Sequence, residues 1–234
     1  MEQDILKFDF TSTEINTLFY VSEKNYFANK FINSWPKWKN QCLFIYGPKD
    51  CGKTHISKIW KKKSNAKLLN KYFFQNLEEI EINKEFNSDK SWIIEDIDLI
   101  LNENNKSLEE KILNFLNLKG PKDYVLITSK KPPSQFITHL DDLVSRLRAS
   151  LVVEVKEPDE ILLKKIILKH LENRQITITD KQLNFLINRI ERTYSCAKKM
   201  SSLIDEITLK RHSKISNEIL SAIIKSYNND YSSR

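Results

Sequence analysis

Apolar residues along this chain follow two rhythms, and the place where one gives way to the other divides it. Up to about residue 157, short apolar runs of strand length alternate with stretches of helical period; past Pro158 only the helical period continues. The runs Cys42–Tyr46, Leu68–Phe74, Trp92–Asp96, Tyr124–Thr128 and Leu151–Val155 predict five strands. Between and before them, Phe27, Ala28, Phe31 and Ile32, with Trp35 following and Pro36 as the stop, have helical spacing. So do Lys53 to about Trp60, and residues 107–118 through Leu108, Ile112, Phe115 and Leu116. Such alternation predicts a parallel sheet with helices on both faces, and a ligand at the C-terminal edge of the strands. After Glu157-Pro158-Asp159, four stripes predict helices: Leu162 to Leu171, Leu183 to Ile190 with Asp180 as cap, Met200 to Ile207, and Ile219 to Ile224 opened by Ser216. The expected architecture is α/β: a base domain of residues 15–157 with a five-stranded parallel sheet, then a small all-α domain of residues 158–234, preceded by a tail of residues 1–14.

Composition narrows the class. At 234 residues and 40% hydrophobic content the chain can bury a real core. It has no apolar run near twenty residues, which predicts no membrane span, and its acidic start is unlike the basic opening of a signal peptide. Cys42, Cys51 and Cys196 are odd in number and fit no metal-ligand spacing, so reduced thiols in the cytoplasm are expected. The formal charge is +7, of which residues 158–234 carry +5, from 14 Lys/Arg against 9 Asp/Glu. A basic C-terminal part suits either a solvated surface or contact with nucleic acid or an acidic protein. In the tail, Gln3, Ile5, Leu6, Phe8 and Phe10 suit an edge strand or a linear peptide that docks in a partner's groove.

The candidate chemistry centres on Gly47-Pro48-Lys49-Asp50-Cys51-Gly52-Lys53-Thr54, followed by His55. It satisfies G-x-x-x-x-G-K-[ST] between an expected strand and an expected helix, the context a phosphate-binding loop requires. Two of the chain's three glycines sit at the positions the loop demands, where a side chain would hinder backbone N–H groups from wrapping phosphates. Lys53 is expected to reach the β- and γ-phosphates and Thr54 to offer its hydroxyl to Mg²⁺, with the positive end of the helix facing the anion. The third strand ends in Glu95 and Asp96, 41 residues after Thr54. An acid pair there suits a metal-linked carboxylate, Glu95, beside a water-polarising one, Asp96. Thr128 and Ser129 end the fourth strand with polar groups able to sense a γ-phosphate.

In this order the motifs resemble those of the AAA+ ATPases, and specifically the DnaA family. LFYVSEKNYFA resembles the family's N-terminal box, which implies that Val21 and Asn25 lie over an adenine. EDID from Glu95, LITSKKPP from Leu126 and LVSRLR from Leu143 resemble its Walker B, sensor I and arginine-finger boxes, and the segment from Glu157 resembles the start of its helical lid. The resemblance implies ADP or ATP with Mg²⁺ as cofactors. It also implies a finger arginine presented to a neighbouring molecule, Arg146 with Arg148 as alternative, and Lys198 in the place of the lid arginine. Glu95, Lys130 and Lys198 depart from the initiator pattern, which implies slow hydrolysis at this chain's own site. Three features resemble the shortened regulatory branch, Hda. The chain stops after the lid; only about 18 residues, Phe73 to Lys90, separate the second and third strands; and Gln3, Leu6 and Phe8 resemble a clamp-binding peptide. The partners so implied are DnaA and the replication sliding clamp, with self-association as a homodimer, indirect or weak DNA contact and no membrane.

Overall fold

The computed structural model describes residues 20–76, 90–211 and 215–232. These fall into two compact units, residues 23–156 and, separately, residues 157–232 with residues 20–22.

The first unit is built on five parallel strands: β1 (Cys42–Tyr46), β2 (Lys67–Leu69), β3 (Ser91–Ile94), β4 (Tyr124–Ser129) and β5 (Leu151–Glu154), in the order β2-β3-β4-β1-β5. The central strands β1, β3 and β4 are apolar nearly throughout because both of their faces are covered, and all four residues of β3 are buried. Cys42 and Phe44, Trp92 and Ile94, and Val125 and Ile127 point to one face by the two-residue period of a strand. They form a core there with Phe74 of α3 (Lys71–Asn76), Leu108, Ile112 and Phe115 of α5 (Lys106–Leu118), and Leu143 and Leu147 of α6 (Asp141–Arg148). The residues between them, such as Leu43, Ile45, Ile93 and Leu126, are equally buried on the other face. That face is covered by α2 (Lys53–Ser64), which contacts β3 and β4 and packs against α1 (Tyr26–Ser34). A short α4 (Ile97–Leu101) follows β3.

Three expectations are corrected here. The second strand ends at Leu69, not Phe74: Asn70 accepts from the Phe73 N–H through its backbone oxygen and its side chain, and the next residues turn into α3. The connection to β3 therefore runs over residues 70–90, longer than expected, and residues 77–89 lie outside the described ones. Phe27, placed on the apolar face of α1, is 61% exposed, while Ala28 and Ile32 carry the packing. Aromatic anchoring of α1 comes from the residues after it. Trp38 stacks on Trp60 at 5.3 Å, Trp35 meets Trp60 edge-on at 6.2 Å, and Tyr124 donates to the Pro36 carbonyl.

The second unit contains α7 (Glu160–Glu172), α8 (Asp180–Ile187), α9 (Tyr194–Arg211) and α10 (Asn217–Ser232) around one apolar core from Leu162 to Tyr227. Its second helix is capped by Thr179 rather than Asp180. The Thr179 hydroxyl accepts from the Gln182 N–H while the Gln182 side chain accepts from the Thr179 N–H, a complete capping box, so Asp180 is the first helical residue. No helix among the described residues is long and apolar enough to cross a membrane.

Candidate functional site

The loop of residues 47–52 joins β1 to α2 at the C-terminal edge of the sheet, where helix N-termini and strand ends meet. Its two glycines are required on separate grounds. Gly52 has φ 103°, a left-handed conformation L side chains rarely adopt, and lets the chain turn directly into the helix. Gly47 is needed for space: a Cβ there would lie 2.0 Å from the Val155 carbonyl oxygen. The loop is pinned against the strands on both sides, since the Gly47 N–H donates to the Ser129 carbonyl (3.1 Å) and the Val155 N–H to the Tyr46 carbonyl (2.7 Å). Asp50 adds a second left-handed residue, φ 59°. Of the loop positions, Pro48, Lys49 and Asp50 are exposed and Cys51 is buried. Burial pushes the Cys51 thiol up, partly offset by the Lys53 ammonium, so it is a neutral filler and not a reactive thiolate.

Lys53 is buried, and its ammonium donates to the Gly47 (2.8 Å) and Pro48 (2.7 Å) carbonyls. It closes the loop on itself by holding the carbonyls of its first two residues. Thr54 is exposed and its hydroxyl makes no hydrogen bond with the described residues; His55 is half-buried, its N–H donating to the Gly52 carbonyl. Glu95 is not bonded to Thr54. Its Oε1 accepts from the hydroxyl of Ser57, which is buried one helical turn further on and lies 3.0 Å from the Thr54 carbonyl oxygen. Asp96 stands in the left-handed region, φ 50°, and caps α4. Its N–H donates to Thr128 Oγ1 (3.0 Å), which ties the acid pair of β3 to the buried threonine of β4, while its carboxylate makes no hydrogen bond with the described residues. Ser129 is turned to the backbone: its carbonyl holds Gly47 and its hydroxyl accepts from the Lys131 N–H.

Around this centre the structure gives roles to residues that the sequence alone left without one. Ser57 shares a helix face with Thr54 by its i+3 spacing, a signal the sequence does carry. Asp98 is buried and accepts from the Lys130 N–H (3.0 Å), fixing the chain after β4. Glu109, also buried, accepts from the His139 N–H (2.8 Å) with one oxygen and faces His139 Nδ1 (3.2 Å) with the other, a clasp at the entrance to α6. Only the fold brings that pair together. On α6, Arg148 donates to the Ser134 carbonyl (3.4 Å), whereas Arg146 is exposed and makes no hydrogen bond or ion pair with the described residues.

The remaining candidates are placed separately. Asn25 is buried immediately before α1. In the other unit, Val21 is 43% exposed and Lys198 is exposed on α9. Lys198 is near enough to His170 to add to the lowering of its pKa, of which burial is the larger cause and Arg174 the next. Gln3, Leu6 and Phe8 lie outside the described residues.

A parallel sheet in this order, a glycine-framed loop opening into a helix with its lysine folded inward, and an acid pair joined through Thr128 to the neighbouring strand define a P-loop α/β protein of the AAA+ class, with an all-α unit after it. The narrower assignment comes from comparison. The family described as the bacterial DnaA ATPase domain matches residues 17–154, more than half of the chain, and the protein belongs to that family. The chromosomal replication initiator protein DnaA of Lachnoclostridium phytofermentans is 28% identical over 166 residues, covering 64% of this chain but 36% of that protein, so the match spans about a third of the relative's length. Among solved structures, domain III of the Thermotoga maritima replication initiation protein DnaA has TM-score 0.73 at 19% identity, covering 89% of this chain and 94% of that one. The AMPPCP-bound DnaA of Aquifex aeolicus also has TM-score 0.73, at 17% identity over 90% of this chain and 68% of that one. At such identities these likenesses are of fold.

Proposed function

We propose that this chain binds an adenine nucleotide at Gly47–Thr54 and acts as a regulator of replication initiation of the Hda type, promoting hydrolysis of ATP held by a DnaA molecule. The loop geometry and the AMPPCP-bound relative of the same fold support the nucleotide. An exposed Thr54 hydroxyl, with no cluster of three His, Cys, Asp or Glu able to hold a metal among the described residues, fits Mg²⁺ bound chiefly by phosphate oxygens and water, with Thr54 and Glu95 as the protein groups at hand. When bound there it would neutralise charge on the phosphates. Lys53 exchanges loop carbonyls for phosphate oxygens, since an ammonium donates to whichever acceptors are nearest.

The observation that carries the regulatory reading is the contrast on α6. Arg148 is tethered to Ser134, but Arg146 presents to solvent a guanidinium that has no partner among the described residues. A finger arginine supplied to another molecule's nucleotide must be exposed in this way, and is worth about 10³–10⁵ in rate. With Glu95 engaged by Ser57, intrinsic turnover is expected to be slow. Docking on the DNA-loaded clamp through Gln3, Leu6 and Phe8 supplies the partner's proximity in this reading. The test is ATP hydrolysis by DnaA in the presence of loaded clamp. Arg146→Ala keeps nucleotide binding and loses stimulation, while Arg148→Ala retains most of it; normal stimulation by Arg146→Ala sinks the finger assignment.

A second reading, an ATPase running its own cycle in replication, is favoured by the Asp96 carboxylate, unengaged by the described residues beside Thr128. It requires turnover by the chain alone, without clamp, abolished by Lys53→Ala.

A further inference from the structure

The charge of the base unit is unevenly spread. From Glu23 to Lys67 there are eleven lysines and only two carboxylates, Glu23 and Asp50, a net of +9. Lys49 and Lys53 belong to the phosphate loop at the C-terminal edge of the sheet. Several of the others gather at the opposite edge, because a helix that follows a parallel strand runs back and ends where the strands begin. There α2 finishes in Lys61, Lys62 and Lys63, and β1 is preceded by Lys37 and Lys39.

Specific contacts make these one surface. Lys63 donates to the Ile32 and Asn33 carbonyls, joining the end of α2 to the end of α1. Trp38, between Lys37 and Lys39, stacks on Trp60, which precedes Lys61. Tyr124 donates to the Pro36 carbonyl, and Gln41 bonds both the Pro121 carbonyl and the Lys119 ammonium, bringing in the turn that carries Lys119 and Lys122. Lys37, Lys39, Lys61 and Lys62 are exposed, and none forms an ion pair with the described residues. The carboxylate in that turn, Asp123, is buried and consumed by the N–H groups of Lys90 and Gly120.

We infer that this face, on the side of the sheet away from the phosphate loop, binds the phosphate backbone of duplex nucleic acid without regard to sequence. Self-repulsion among unpaired ammonium groups is relieved when they meet a polyanion, and releasing the counterions condensed on it drives association. The patch is made of lysines, point charges on flexible stems that need no fixed partner geometry. Its aromatic floor is largely covered: Trp38 and Trp60 are buried beneath the lysines and Trp35 and Tyr124 are half-buried, so the described residues of the patch offer no fully exposed ring for stacking the bases of a single strand. Nor, among the described residues, does it carry the aromatic anchor of a protein interface; the exposed apolar side chains bordering it, Leu68 and Leu118, are aliphatic.

The test is fluorescence anisotropy of the whole chain with a random-sequence 30-base-pair duplex over a salt series. Alongside it run Lys37→Glu/Lys39→Glu/Lys61→Glu/Lys62→Glu and, as control, Lys181→Glu/Lys225→Glu, two exposed lysines of the helical unit. The patch variant is expected to bind at least about tenfold more weakly and to lower the slope of log K against log salt by about 3 to 4, one phosphate contact per lysine removed. Circular dichroism and nucleotide affinity stay unchanged, because the four side chains are exposed and remote from the loop. Wild-type binding by the patch variant, or a loss confined to the control, overturns the inference. Equal affinity of the wild type for poly-glutamate assigns the face to acidic proteins and overturns the duplex reading.

Discussion

Gly47 and Gly52 hold equivalent places in the motif but are irreplaceable for unlike reasons. At Gly47 an added methyl would collide with backbone, the Val155 carbonyl, which no rotamer can move aside; at Gly52 the obstacle is torsional, φ 103°. Gly47→Ala is therefore expected to be the more damaging, by about 3 kcal/mol or more where overpacking usually costs about 1–3. Gly52→Ala is expected to lose about 1–3. Urea unfolding of the two variants decides it, and equal losses would mean that the β5 contact is not what fixes Gly47. The motif announces both glycines, but only the packing of β5 against the loop assigns their roles. Lys53 illustrates the same limit: its identity foretells a phosphate, yet its resting partners are carbonyls of its own loop.

At the scale of elements, the position of α6 depends on a buried carboxylate from another helix. Glu109 takes both the N–H and Nδ1 of His139, two residues before α6 begins, and the second contact requires a proton on Nδ1. Glu109→Leu leaves these donors without their acceptor, and is expected to cost about 1–3 kcal/mol. Hydrogen exchange should accelerate at the amides of residues 139–144; Glu109→Gln, which keeps one acceptor, should be milder. Unchanged exchange in the leucine variant would show that α6 is held by its apolar face alone. Neither residue stands out in sequence, since their pairing spans thirty positions and follows no helical or strand period. The second strand is shorter than its apolar run predicts for a related reason. Leu68, Tyr72 and Phe73 fit a strand by composition, but Asn70 bonds its own backbone neighbourhood and starts α3, a local preference that overrides the apolar run.

For the molecule as a whole, the α-helical unit carries a titrating group that couples its stability to pH. Burial, then Arg174 and Lys198, lower the His170 pKa, so the unfolded chain binds its proton more readily than the folded one. Stability thus rises with pH: the contribution is complete above about 6.5, the unfolded value, and is lost as pH falls towards the folded value. Chemical denaturation followed at pH 7.5 and 5.5 should show that dependence reduced in His170→Gln, and an undiminished dependence would assign it to other groups. Arg174 is fixed by Asp205 (3.1 Å) and the His170 carbonyl (2.8 Å), which keeps its charge beside the imidazole.

What the sequence settled by itself was everything that depends on spacing along one element. This includes five strands, the two-sided burial of the central three, the glycine-framed loop, the acid pair at the end of β3, and the change of rhythm after Pro158, because side-chain direction repeats with period 2 or 3.6 wherever backbone hydrogen bonds are regular. Tertiary structure alone decided the contacts between elements distant in the chain: Ser57 with Glu95, Thr128 with the Asp96 N–H, Glu109 with His139, and the gathering of lysines at one edge of the sheet. Such pairings depend on how helices and strands stack in space, and periodicity within a segment carries no record of its neighbour.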